Sequence, residues 1–163
     1  MAKRKKQNKQ SLVILIVLCL GVLATLTIFL PALVTGSGDN KVFYSGLDVT
    51  FGKTLADLGV LAKGKIPFSI LALLAYLLPI IGGIIVLFAP KKNKILKPIA
   101  MLLFLASAVL LFLLPEYINM VSESGLFGNS AVTNLGGSLT WGSIIGAIFS
   151  ILGLFGTGYL LVK

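Results

Sequence analysis

The stretch that decides the fold is residues 68–97, which read FSILALLAYLLPIIGGIIVLFAPKKNKILK. Its first part, 68–89, is an unbroken apolar run, and a transmembrane helix needs about 20 such residues to cross the hydrocarbon core. A basic segment, 90–97, follows directly. An apolar run with a lysine-rich flank is typical of a transmembrane helix whose basic end stays in the cytoplasm.

Three further apolar runs occupy 12–30, 98–114 and 139–162, and none of the four contains Asp, Glu, Lys or Arg. The chain of 163 residues is 57% hydrophobic and only 12% charged, whereas a soluble domain carries about 25% charged residues. Because backbone groups in lipid must pair within their own segment, each run is predicted to be a helix. The predicted fold class is an all-α integral membrane protein, a bundle of four transmembrane helices arranged as two hairpins.

Charge placement predicts the orientation of this bundle. Segment 1–11, the 90–97 link and Lys163 carry ten basic and no acidic residues, whereas the loops 31–67 and 115–138 carry four lysines against five acidic residues. Short loops rich in Lys and Arg stay cytoplasmic. Both termini are therefore predicted inside, both longer loops outside, and the protein in the cell membrane. Lys outnumbers Arg thirteen to one, which favours a bacterial cytoplasmic membrane.

The basic residues are predicted to contact lipid and not nucleic acid. The N-terminal cluster lies directly beside a span and has no interleaved aromatic residues. A Lys beside an anionic leaflet contributes about 1 kcal/mol to membrane attachment. The residues predicted to contact anionic headgroups are Lys3, Arg4, Lys5, Lys6, Lys91, Lys92 and Lys94.

A cleaved signal peptide is the alternative interpretation of the N-terminus. Signal peptides have apolar regions of about 7–15 residues that end at a small-residue cleavage site. The run 12–30 has 19 residues, and Val34-Thr35-Gly36 matches such a site poorly. An uncleaved helix is therefore the preferred interpretation.

The outer loops are predicted to form a small ordered cap of short strands and helices. Residues 42–51 are rich in β-branched and aromatic residues, which predicts a strand pair or a bulged strand with Gly46 at the bend. Thr54 and Asp57 have the spacing of a weak helix cap, so a short amphipathic helix is expected over 54–62. The second loop is expected to contribute one strand around 131–135. The residues predicted to contact an extracellular partner are Phe43, Tyr44, Asp48 and Phe51.

Small residues recur at helical spacing on two of the runs. Small residues let helix backbones approach closely, which drives helix association in lipid. Pro79 is also predicted to free the carbonyl of Ala75 and to kink its helix. The predicted helix-packing residues are Gly142, Gly146, Ser150, Gly153 and Thr157 on the fourth run, and Ala72, Ala75, Pro79 and Gly82 on the second. These faces pack within the bundle, mediate dimerisation or docking to a membrane-protein partner, or line a narrow pore.

The sequence lacks the residues and motifs that common catalytic and metal-binding sites require. It has no His and a single Cys, Cys19, which excludes disulfides within the chain, the usual zinc sites and His-based catalysis. The spans hold no charged group of the kind that marks proton-coupled transport, and no phosphate-binding loop or HExxH motif occurs. No enzyme activity, cofactor or metal is therefore expected.

The predicted function is that of a non-enzymatic accessory or interaction subunit, acting through helix-packing faces and outer loops. The alternative is a pore-forming or small-solute permeation component, such as a channel-like or holin-like oligomer. A pore requires a polar stripe along one face, whereas the spans hold only scattered Ser and Thr.

Overall fold

A computed structural model describes residues 2–57, 63–89, 95–124 and 129–162. Helices make up 66% of it and strands about 20%. The helices are α1 (Ala2–Leu26), α2 (Gly46–Phe51), α3 (Ile70–Phe88), α4 (Leu96–Phe112), α5 (Leu114–Tyr117) and α6 (Trp141–Val162), and a 3-10 turn at Thr27–Phe29 extends α1. The strands are β1 (Pro31–Thr35), β2 (Val42–Ser45), β3 (Lys53–Asp57), β4 (Lys63–Ile66), β5 (Asn119–Ser124), β6 (Asn129–Asn134) and β7 (Ser138–Leu139).

Three helical segments of the described chain are long and apolar enough to cross a membrane, namely Gln10–Phe29, Ile70–Phe88 and Trp141–Val162. The fourth apolar helix, α4, has only 17 residues, against the roughly 20 that a span requires. It ends at Phe112 because Leu113 leaves the helical conformation and Pro115 opens α5. A proline lacks the amide hydrogen that a continuing helix would need.

The prediction of an all-α bundle of four spans is therefore wrong. Within the described residues two antiparallel sheets are present, and only three helices are long and apolar enough to span a membrane. Several strands were not predicted because their residues have little intrinsic strand preference. Strand β4, for example, has the sequence Lys-Gly-Lys-Ile. β4 is held instead by pairing with β3 on one side and β5 on the other.

The long helices pack side by side in alternating directions. Val17 of α1 lies against Gly156 of α6, and Thr27, ten residues later, lies against Gly146. Helices α1 and α4 therefore start at the same end of the bundle at which α3 and α6 finish. We call this end the inner end. The seven strands, α2 and α5 lie at the opposite end and form what we call the cap.

The cap contains two antiparallel sheets. One has the strand order β2-β1-β7 and the other β3-β4-β5-β6. In the first sheet Pro31 pairs with Ser45 next to the helices, and Thr35 pairs with Val42 at the far end of the hairpin. A buried cluster that includes Leu33, Tyr44, Val49, Ile66, Ala72, Leu114 and Ile118 joins both sheets to the top of α3.

Three details of the loops differ from the sequence prediction. The segment 42–51 is a strand only as far as Ser45 and then becomes α2. The prediction of a helix over 54–62 is wrong in its first part, since Lys53–Asp57 is strand β3. Its second part, 58–62, lies outside the described residues. The strand expected around 131–135 is present as β6, at 129–134, but it pairs with a strand that the sequence did not predict, β5.

Candidate functional site

The small residues of α6 are buried against the chain's own neighbouring helices. A Cβ atom at Gly142 would strike the carbonyl oxygen of Pro31, and one at Gly146 would lie 2.5 Å from Oγ1 of Thr27. Ser150 and Thr157 are fully buried. Each position therefore has room for a small side chain or none, and this face is occupied within the monomer.

The matching residues of α3 are buried as well, and one aromatic ring connects the two faces. Phe104 of α4 lies between Gly82 and Gly153, where added Cβ atoms would come within 3.1 Å and 2.5 Å of its ring. On the other side of α3, a Cβ at Gly21 of α1 would lie 2.5 Å from the carbonyl oxygen of Pro79. Ala72, Ala75, Pro79 and Gly82 are all buried.

A hydroxyl on α4 satisfies the carbonyl that Pro79 leaves free. Because proline has no amide hydrogen, Ala75 O lacks its usual helical donor. Ser107 Oγ donates to Ala75 O at 2.6 Å and lies 3.2 Å from Ser150 Oγ. Ser150 Oγ in turn lies 3.0 Å from Gly146 O. Sequence reasoning missed Ser107, although it is the only hydroxyl residue in the run 98–114.

Further hydroxyl groups fasten the cap to the helices. Ser143 Oγ donates to Ala32 O at 2.9 Å, and Thr140 Oγ1 donates to Pro31 O. These bonds fix the first turn of α6 to strand β1. The hydroxyls of Ser143 and Thr140 are thus used for internal hydrogen bonds.

α2 begins at a reciprocal cap that the sequence contains but that the prediction overlooked. Ser45 Oγ accepts from the amide of Asp48 at 3.1 Å, and the Asp48 carboxylate accepts from the amide of Ser45 at 3.1 Å. This is a capping box, which satisfies two unpaired amides at a helix start. Lys53 Nζ lies 3.0 Å from the same carboxylate. Asp48 is therefore a structural residue of the cap.

The stability of the cap is predicted to fall in acid because of Asp48. Partial burial raises the pKa of its carboxyl, but the hydrogen bonds from Lys53 and Ser45 outweigh burial, and the pKa lies below the ordinary 3.8. The ionised carboxylate of Asp48 therefore stabilises the fold fully above pH 3.8, and this stabilisation is lost as the pH falls through the pKa of Asp48 in the folded protein. Thermal unfolding midpoints measured through this range should drop less in Asp48→Asn and Lys53→Gln than in wild type. Equal drops in all three proteins would contradict the assignment.

The four predicted partner contacts separate into two pairs. Phe43 and Phe51 are exposed, whereas Tyr44 is buried and Asp48 is engaged at the start of α2. Lys53 Nζ also lies 6.0 Å from the ring centre of Tyr44. Of these four residues, Phe43 and Phe51 present apolar surface to the outside.

A described lysine, Lys97 at the start of α4, lies at the inner end. Lys97 donates to Leu160 O at 2.7 Å, and a cation at the last carbonyls of a helix complements the helix dipole. The predicted lipid contacts Lys3, Arg4, Lys5 and Lys6 belong to α1, but their side chains are outside the described part of the structure. Lys91, Lys92 and Lys94 likewise lie outside the described residues.

The described residues show no cluster that could hold a metal ion. Within 2–57, 63–89, 95–124 and 129–162, no three His, Cys, Asp or Glu side chains cluster. Two buried hydroxyls, Thr50 Oγ1 and Tyr76 OH, have no hydrogen-bond partner in this part of the chain.

Comparison of the chain with protein-family models, curated proteins and solved structures gives no match. Its class is therefore defined by its own fold. It is an α+β protein in which three helices are long and apolar enough to cross a membrane, with two antiparallel sheets joined to one end of the helices.

Proposed function

We propose that the chain is a non-enzymatic integral membrane protein, an accessory subunit that binds an extracytoplasmic partner through its cap. The inner end lies in the cytoplasm, because α1 starts there in a lysine-rich sequence, Lys97 of α4 lies there, and short basic segments are retained inside. The cap then faces outward. The observation that carries the proposal is that the small-residue helix faces are already filled, so the partner contacts the protein outside the bundle.

Strand β2 is the surface that best suits such a partner. It lies at the edge of its sheet, so one side of its backbone is open to a further strand. Val42 and Phe43 are exposed there, the latter by 53%. An extended segment of a partner can add to such an edge through main-chain hydrogen bonds, while pockets for alternate side chains give specificity. Phe43 supplies the apolar side chain for that contact.

The packing inside the bundle argues against the pore alternative. The hydroxyls of Ser107, Ser150, Thr25 and Thr157 lie among the helices, and each is hydrogen bonded to a main-chain carbonyl. The ring of Phe104 fills the space between α3 and α6. A water-filled path through the monomer would need this ring to move.

The partner proposal is tested by site-specific photo-crosslinking in cells. A photoreactive residue at position 42 should give one discrete cross-linked species, and Phe43→Lys should abolish it because a charge on an edge strand blocks strand addition. Val132→Lys, on the exposed edge strand β6, is the matched control and should leave the species intact. Loss in both variants, or in neither, contradicts the proposed edge.

A flux measurement separates the two candidate functions. The purified full chain in liposomes should conduct no ions if it is an accessory subunit. Saturable conductance that Phe104→Ala increases would instead favour a permeation component.

A further inference from the structure

Four exposed aromatic side chains lie at one level, where the cap meets the helices. They are Phe29 at the end of the 3-10 turn, Phe51 at the end of α2, Phe68 just before α3 and Trp141 at the start of α6. Each is between 52% and 64% exposed. We call these four residues the aromatic collar.

Backbone contacts place the four residues of the collar in one layer. The rings of Phe51 and Phe68 are 6.4 Å apart, and Ser69 N donates to Thr50 O at 2.9 Å. Gly46, at the start of α2, donates to Leu30 O at 3.1 Å, which ties α2 to the end of the 3-10 turn. A Cβ at Gly142 would lie 2.8 Å from Leu30 Cβ, which brings the start of α6 to the same level.

The exposed surface changes character at the collar. On the helix side the exposed residues are large and apolar, such as Leu74, Ile144 and Ile148. On the sheet side polar residues such as Lys53 and Ser130 are exposed, and exposed apolar residues such as Phe43 and Val132 lie among them. Trp concentrates at the membrane–water interface of a bilayer, and Trp and Phe occur on the apolar face of amphipathic helices that lie in that boundary.

We propose that the aromatic collar binds the headgroup–acyl boundary of the outer leaflet and holds α2 within that layer. The collar therefore sets the depth of the cap, and Phe51 contacts lipid and not a protein partner. This inference rests on the membrane insertion proposed above. Phe43 lies at the far part of the β1–β2 hairpin and stays in water.

The single tryptophan of the chain provides the test. The wild-type full chain is reconstituted in phosphatidylcholine–phosphatidylglycerol vesicles that contain lipids brominated at defined depths. Bromines near the headgroup end of the acyl chain should quench Trp141 about twofold more than bromines near the methyl end, since Trp prefers the interface. Absence of quenching, or strongest quenching by the deep bromines, would overturn the proposal.

Two matched variants test the position of α2. With Trp141 replaced by Phe, Phe51→Trp should show the same shallow quenching, whereas Phe43→Trp, of similar exposure, should not be quenched by any brominated lipid. Quenching at position 43, or none at position 51, would overturn the collar. Resistance of the protein to carbonate extraction is scored separately, so a protein that stays in the vesicles but is not quenched refutes the collar and leaves membrane insertion standing.

Discussion

Replacing Gly153 with Leu should lower the free energy of unfolding by about 1–3 kcal/mol, the usual penalty of overpacking a filled core. Even the first added carbon would lie 2.5 Å from the ring of Phe104. That ring cannot retreat, because Gly82 contacts it from the opposite helix. Unfolding of the purified protein by a denaturing detergent, followed by helical circular dichroism, measures the change.

Gly158 gives the matched control on the same helix. A Cβ at Gly158 meets no atom of the described part of the chain within 4 Å, so Gly158→Leu should leave stability unchanged or raise it by about 0.5–1 kcal/mol through the helix propensity of the new residue. Gly153→Ala combined with Phe104→Leu should be less harmful than the two single changes added together, since the shortened side chain relieves the contact. Equal effects of Leu at positions 153 and 158 would contradict the packing described here.

Replacing Ser107 with Ala should destabilise the protein by about 1–2 kcal/mol, because it leaves a buried carbonyl without a donor. The carbonyl is that of Ala75, which Pro79 deprives of its helical partner. Ser150→Ala should cost less, since its acceptor, Gly146 O, also faces the amide of residue 150 in a regular helix.

A double-mutant cycle identifies why Ser107→Ala destabilises the protein. Pro79→Ala restores an amide hydrogen four residues after Ala75, so Ser107→Ala should be less harmful in that background than in wild type. The detergent unfolding assay used for Gly153 gives all four stabilities. Identical losses in the two backgrounds would mean that Ser107 acts by packing and not by satisfying the carbonyl.

The line of small residues on α6 could be recognised in the sequence because helical spacing is a local property. Gly142, Gly146 and Gly153 fall on one side of any helix built from their segment, and small residues let helix backbones approach closely. The side chain that packs against that face could not be predicted from the sequence. Phe104 contacts Gly153 because α4 lies between α3 and α6, and this depends on the packing of the whole chain.

The cap shows where local signals fail. Ser45–Asp48 and Thr54–Asp57 have the same Ser/Thr-x-x-Asp spacing, yet the first begins helix α2 and the second lies in strand β3. α2 forms where Gly46 fits against Ile28 and the ring of Tyr76. β3 forms because β4 offers a backbone to pair with. Tertiary contacts therefore decide between two equivalent local patterns.

Cysteine labelling tests most directly whether the helices cross a membrane with the cap outside. In a Cys19→Ser background, one variant carries Ile95→Cys at the inner end and another carries Val132→Cys in the cap, both positions being exposed. A membrane-impermeant maleimide applied to intact cells should label position 132, and position 95 should react only after permeabilisation. Labelling of both positions in intact cells, or of neither until the membrane is opened, would contradict this account.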